Sequence, residues 1–158
     1  MPDLVLYQPD IPGNTGTLLR LAACLGLKVH IIEPAGFRLD EKAFHRAGMD
    51  YLDQAAMERH LTWDAFENWR KQETRRLCLL TTKSSQNYTT FDFKPDDLIM
   101  RGRESSGVPD RVHEAADARL KIPMQEGARS LNMALSGAMV IGEALRQTTR
   151  SDQSGNIT

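Results

Sequence analysis

A chain of 158 residues, 41% hydrophobic and 26% charged, has the size and composition of one globular domain and is short for two independent ones. At this length a folded chain buries roughly 70% of the surface its unfolded form exposes, so it requires neither disulfide nor structural metal. A net charge of −1 and a pI near 6.4 exclude a protein that holds nucleic acid through a broadly basic surface.

Short apolar runs alternate with amphipathic stretches along the chain. "LVLYQ" (4–8) reads as a first strand. "NTGTLLRLAACLG" (14–26) then places Leu18, Leu21, Ala22 and Leu25 on one helical face and stops at Gly26. "KVHIIEP" (28–34) is a second strand, and "DEKAFHRAG" (40–48) is a helix opening on Asp40. "TWDAFENWRKQ" (62–72) is a helix with Thr62 as its cap. Three further strands follow: "RLCLLTT" (76–82), "DLIMRG" (97–102) and "RLKIPM" (119–124). From Leu131 to Leu145 a last helix has almost no polar face, which predicts burial on all sides, by the sheet and by a second copy of the chain. The competing reading is the central helix of a monomer. Strands alternating with helices predict an α/β fold, a mainly parallel sheet with helices on both faces, in one domain spanning 1–150. The polar tail 151–158 is expected to be disordered.

Cys24 and Cys78 stand in apolar contexts without metal-ligand spacing and read as reduced core thiols; no metal site is expected. The start "MPDLVLYQPD" lacks a positive n-region, and the longest apolar stretch is interrupted by Asn132, Ser136 and Glu143, so a cytoplasmic protein with no membrane span is expected. The cluster "RKQETRR" (70–76) reads as a solvated helix end rather than a binding patch.

Three loops carry the chemistry. "PDIPGNTGTLLR" follows the first strand; it has neither the third glycine of a dinucleotide loop nor the GK[ST] of a P-loop, and Asn14 reads equally as a helix cap. Arg20 lies further into that helix, where an arginine ordinarily faces solvent or pairs with a carboxylate. In "IMRGRESSGVP", Gly102 and Gly107 bracket Glu104 and permit close approach of backbone to a ligand, as they would in an ordinary surface turn. "IPMQEGARSLN" leads into the last helix; Ser130 reads as its cap, which leaves the flanking Arg129 and Asn132 unexplained.

In this order, "PxxPxNTGxxxR", "GxExxG" and "IPM…RSLN", together with "HIIEPAGF", "RAGMDY" and "LTTK", resemble the motifs of the SPOUT superfamily. The closest likeness is to its small tRNA (cytidine/uridine-34) 2'-O-methyltransferases, and it extends over 4–147. The resemblance implies a C-terminal deep trefoil knot, which topology rules alone would never propose. It also implies S-adenosyl-L-methionine as cofactor, a homodimer and a tRNA anticodon loop as substrate. By motif position the cofactor residues would be Leu80, Thr81, Gly102, Ile122, Met124, Ser130 and Leu131, and the catalytic ones Arg20, Glu104, Asn14 and Asn132. Arg101, Arg103, Ala134, Leu135 and Gly142 depart from the usual pattern and motivate an alternative, a non-catalytic RNA-binding or cofactor-binding relative.

Overall fold

The computed structural model describes residues 1–40, 42 and 57–149. Six strands, β1 (Asp3–Tyr7), β2 (Val29–Ile32), β3 (Met57–His60), β4 (Leu77–Leu80), β5 (Leu98–Arg101) and β6 (Ala118–Leu120), form one sheet in the order β3-β2-β1-β5-β4-β6. Every pairing is parallel. Among the described residues four α-helices accompany it: α1 (Pro12–Leu25), α2 (Trp63–Gln72), α3 (Asp110–Ala115) and α4 (Met133–Thr149).

Alternation along each strand divides the core into two. Leu4 and Leu6 of β1 pack with Leu18, Leu19 and Ala22 of α1 and with Val140, Ile141 and Ala144 of α4. Val5 and Tyr7 point the other way, toward Trp63 and Phe66 of α2 and Val112 of α3. Helices therefore cover both faces, as a parallel sheet demands. The local signals in the sequence account for the ends of the helices. Gly26 takes φ 71° and closes α1, and Thr62 Oγ1 accepts from Ala65 N–H at 3.0 Å to cap α2.

Several expectations need correction. α1 begins two residues early, at Pro12, so Asn14 sits inside its first turn and caps nothing. α4 begins at Met133 with Asn132 as its cap: Asn132 Oδ1 accepts from Ala134 N–H at 2.8 Å and Leu135 N–H at 3.2 Å, and Ser130 lies outside the helix. β3 was not expected, because "MERH" at the sheet edge buries only His60 fully and shows no apolar alternation. The six-residue α3, which buries Val112 alone, was equally silent. Cys78 is buried, but Cys24 is exposed on the outer face of α1, one turn beyond the exposed Arg20.

The 70–76 segment is also more structural than a solvated end. Arg70 is buried and bidentate to Glu67 at 2.8 and 2.9 Å, with Asp117 at 2.8 Å; Arg75 pairs with Asp3 at 2.7 Å and Arg76 with Asp97 at 2.6 Å. Within the single chain, Val140, Ile141 and Ala144 of the last helix face the core, whereas Leu135 and Met139, on the side expected to meet a second copy, are 62% and 43% exposed. The expected helix over 40–48 and the tail 151–158 lie largely or wholly outside the described residues.

Candidate active site

The loops leaving the carboxyl ends of β1, β4, β5 and β6 converge, which is where open parallel sheets place their ligands. Two adjoining cavities lie between them, one of about 680 Å³ and one of about 40 Å³. They share Leu80, Thr81, Thr82, Arg101, Ser130 and Leu131. The larger adds Asn14, Gly102, Glu104 and Asn132; the smaller adds Leu120, Ile122 and Met124 and is the more apolar. All seven residues assigned to a cofactor from the sequence thus line one or both cavities. Three of the four assigned to catalysis, Asn14, Glu104 and Asn132, line the larger one. Arg20 does not; it lies exposed on α1.

Local structure explains these positions. Asn132 caps α4 with its oxygen while Nδ2 donates to Asn14 Oδ1 at 3.0 Å, joining the first turn of α1 to the start of α4. After β5 the chain folds back on itself: Arg103 N–H donates to Gly107 O at 2.9 Å and Gly107 N–H to Arg103 O at 2.8 Å. A Cβ on Gly102 would meet the Gly107 carbonyl carbon at 2.7 Å, and Gly107 itself takes φ 68°, so both glycines are required by the turn. That turn supports Glu104, whose Oε2 accepts from Asp10 N–H at 3.0 Å.

Asp10 and Glu104 lie side by side, and each changes how readily the other holds a proton. Hydrogen bonding with Glu104, then with Ser105, holds the Asp10 carboxyl down to about 2, and the Arg103 guanidinium, at 3.4 Å, adds to this. Burial, followed by hydrogen bonding to Asp10, raises Glu104 above the usual carboxylate range. A carboxyl raised in this way is better suited to take up a proton near neutrality than an ordinary surface glutamate.

The site holds most of the polar groups the fold leaves unsatisfied. Among the described residues seven buried side-chain atoms make no hydrogen bond, and four of them, on Arg101, Arg103, Glu104 and His113, belong to residues lining the larger cavity. Sequence reasoning missed His113 and noted Arg101 only as a departure from the family pattern near the pocket. Arg101 was visible beside Gly102, but His113 sits on the short helix that carried no signal. Native folds leave few such groups, and their concentration here marks a place prepared for a polar ligand.

A second cluster was invisible to spacing. The β2–β3 register sets His30 beside Glu58, and His60 completes a group of potential metal ligands. Its hydrogen bonds are already made: His30 Nδ1 meets His60 Nε2 at 3.0 Å, His30 Nε2 meets Asp3 at 3.1 Å, and Lys28 occupies Glu58 at 3.1 Å. None of these residues lines either cavity.

An all-parallel sheet with such a cavity at its carboxyl edge defines an α/β ligand-binding protein, and the match of the SpoU rRNA Methylase family model to residues 2–142 shows which one: the chain belongs to that family. It is 60% identical over 144 residues to a tRNA (cytidine(34)-2'-O)-methyltransferase of Beijerinckia indica, covering 91% of this chain and 90% of the relative. The relative of the same description from Escherichia coli K12 is 39% identical over 149 residues, covering 93% and 94%. A solved structure concerned with 2-OH methylation of C/U34 on tRNA superposes with a TM-score of 0.85 at 36% identity, covering 93% of this chain and 95% of that one. Among the described residues no helix is long and apolar enough to cross a membrane.

Proposed function

We propose that this protein methylates the ribose 2'-hydroxyl of the wobble nucleotide, C or U at position 34, in the anticodon loop of tRNA. S-adenosyl-L-methionine, bound at the junction of the two cavities, supplies a methyl group on a sulfonium that leaves as a neutral thioether, so the chemistry calls for no metal. The observation that carries this reading is the meeting of all seven expected cofactor positions at two adjoining cavities in a chain 60% identical to a tRNA (cytidine(34)-2'-O)-methyltransferase.

The protein's work is alignment and charge. Leu120, Ile122 and Met124 offer an apolar slot for the cofactor's base, and the Gly102–Gly107 turn and Ser130 border the remainder. Glu104 is the candidate proton acceptor. Asn14 and Asn132 donate or accept at the hydroxyl, fixed by their mutual hydrogen bond. A guanidinium is a fixed cation with donors and no acceptor, so the role of Arg20 is to hold the adjacent phosphate and polarise the hydroxyl rather than to act as a base.

Two further elements belong to the same reading. The C-terminal segment forms a deep trefoil knot, in keeping with its path from the edge strand β6 back to α4, which packs against α1 and β5 near the middle of the sheet. Leu135 and Met139, one helical turn apart and exposed, form an apolar stripe that a second copy covers in a cytoplasmic homodimer, bringing Arg20 of one protomer within reach of shared RNA. Mapping 2'-O-methyl groups in tRNA from cells lacking the protein tests the function: loss confined to nucleotide 34 is expected, and intact methylation there would contradict it.

A further inference from the structure

Arg101 ends β5, and its side chain borders both cavities. Among the described residues its side chain makes one hydrogen bond, a long one of 3.5 Å from Nη1 to Leu80 O, and its Nε is shut off from solvent without a hydrogen bond. Other buried or half-buried arginines of this fold are matched: Arg70 with Glu67 and Asp117, Arg75 with Asp3, and Arg76 with Asp97. Even Arg103, two residues on, faces Asp10. Among the described residues Arg101 has no ion-pair partner; Glu104 acts on it only through its field, and burial pushes the guanidinium down from its ordinary value. Withholding a guanidinium from water without an anion is costly, and the fold gains nothing from it in the ligand-free state.

Resting on the methyltransferase reading of the site, we propose that Arg101 is the anchor for the carboxylate of the cofactor's amino-acid group. An anion must enter the cavity to reach this side chain. RNA phosphates stay at the surface, where the exposed Arg20 and Arg129 meet them. The cofactor enters fully, and its carboxylate is the one anionic group it carries. With the base in the apolar slot of Leu120, Ile122 and Met124, the amino-acid end extends into the larger cavity, and Arg101 stands at the boundary between the two. A planar guanidinium with unused donors can grip a carboxylate through two parallel hydrogen bonds.

Isothermal titration calorimetry with two probes tests this. S-adenosylhomocysteine carries the carboxylate, whereas 5'-methylthioadenosine keeps the nucleoside and thioether but lacks the amino acid. Arg101→Gln is expected to weaken S-adenosylhomocysteine at least about tenfold while changing 5'-methylthioadenosine less than about twofold, with Arg101→Lys recovering part of the loss. Arg101→Met is expected to raise the thermal midpoint of the ligand-free protein, since it removes an unmatched buried charge. Unchanged S-adenosylhomocysteine affinity, equal weakening of both probes, or a loss confined to tRNA binding would overturn the proposal. Failure of the wild-type protein to bind either probe would instead overturn the methyltransferase reading beneath it.

Discussion

Asn132 donates from Nδ2 to Asn14 Oδ1 at 3.0 Å across 118 residues of sequence, while its own Oδ1 caps α4. One side chain therefore both starts the last helix and ties it to the first. Asn132→Asp keeps the cap and loses the donor; Asn132→Ala loses both. Unfolding by urea should show Asn132→Ala destabilised by about 1 kcal/mol and Asn132→Asp by less. Methylation of tRNA should fall in both variants. Full activity of Asn132→Asp would show that the Asn14 contact has no part in catalysis.

Gly102 has no room for a side chain: a Cβ there meets the backbone of Gly107 at 2.7 Å. Gly102→Ala must open the turn that carries Glu104. The expected outcome is a protein that still folds, with a cost of about 1–3 kcal/mol, and that loses measurable S-adenosylhomocysteine binding. Calorimetry on the purified variant checks this, and wild-type affinity would remove the turn from the cofactor site.

Arg20 and Ser130 should divide by assay. Ser130 borders both cavities, whereas Arg20 is exposed on α1. Arg20→Ala is expected to abolish methyl transfer with S-adenosylhomocysteine affinity unchanged, and Ser130→Ala to weaken that affinity first. Reversed results would mean that the assigned roles of the two loops are wrong.

The sequence revealed the sheet core and the cavity better than the edges. Strands β1, β2, β4 and β5 bury every residue or nearly so and stand out as apolar runs, and the loops after them carry the motif glycines and asparagines. β3 and the His30–Glu58–His60 group were hidden because their contacts arise from pairing between strands, which no local pattern encodes. The ion pairs of Arg70, Arg75 and Arg76 escaped for the same reason: Asp3, Asp97 and Asp117 are distant in sequence. Arg101 stood out in the sequence only as a departure from the family pattern, because an arginine after a strand ordinarily reaches solvent, and only the fold shows it bordering both cavities.

His60 should make stability pH-dependent. Burial, reinforced by the charges of His30 and Lys28 and opposed by that of Glu58, lowers His60 below its ordinary value of 6.5. Between that depressed value and 6.5 the unfolded chain binds more proton than the native one, so stability is present above pH 6.5 and is lost as pH falls through the native pKa. Urea midpoints measured at falling pH should decline in the wild type, and His60→Gln should flatten the slope. An equal slope in both proteins would assign the effect to other groups.

Leu135 and Met139 are exposed on α4 and form the apolar stripe that the proposed homodimer would cover. Light scattering should give a dimer for the wild type and a smaller species for Leu135→Glu, with methylation lost in parallel. A wild-type monomer at micromolar concentration would contradict the homodimer.

The wobble ribose is the central claim, and a single atom tests it. Two tRNA transcripts, identical except that one lacks the 2'-hydroxyl at nucleotide 34, are incubated with the wild-type protein and labelled S-adenosyl-L-methionine. The account predicts label in the first and none in the second, with transfer falling as salt rises because the few arginines near the cavity act through phosphate contacts. Equal labelling of the two transcripts would contradict it.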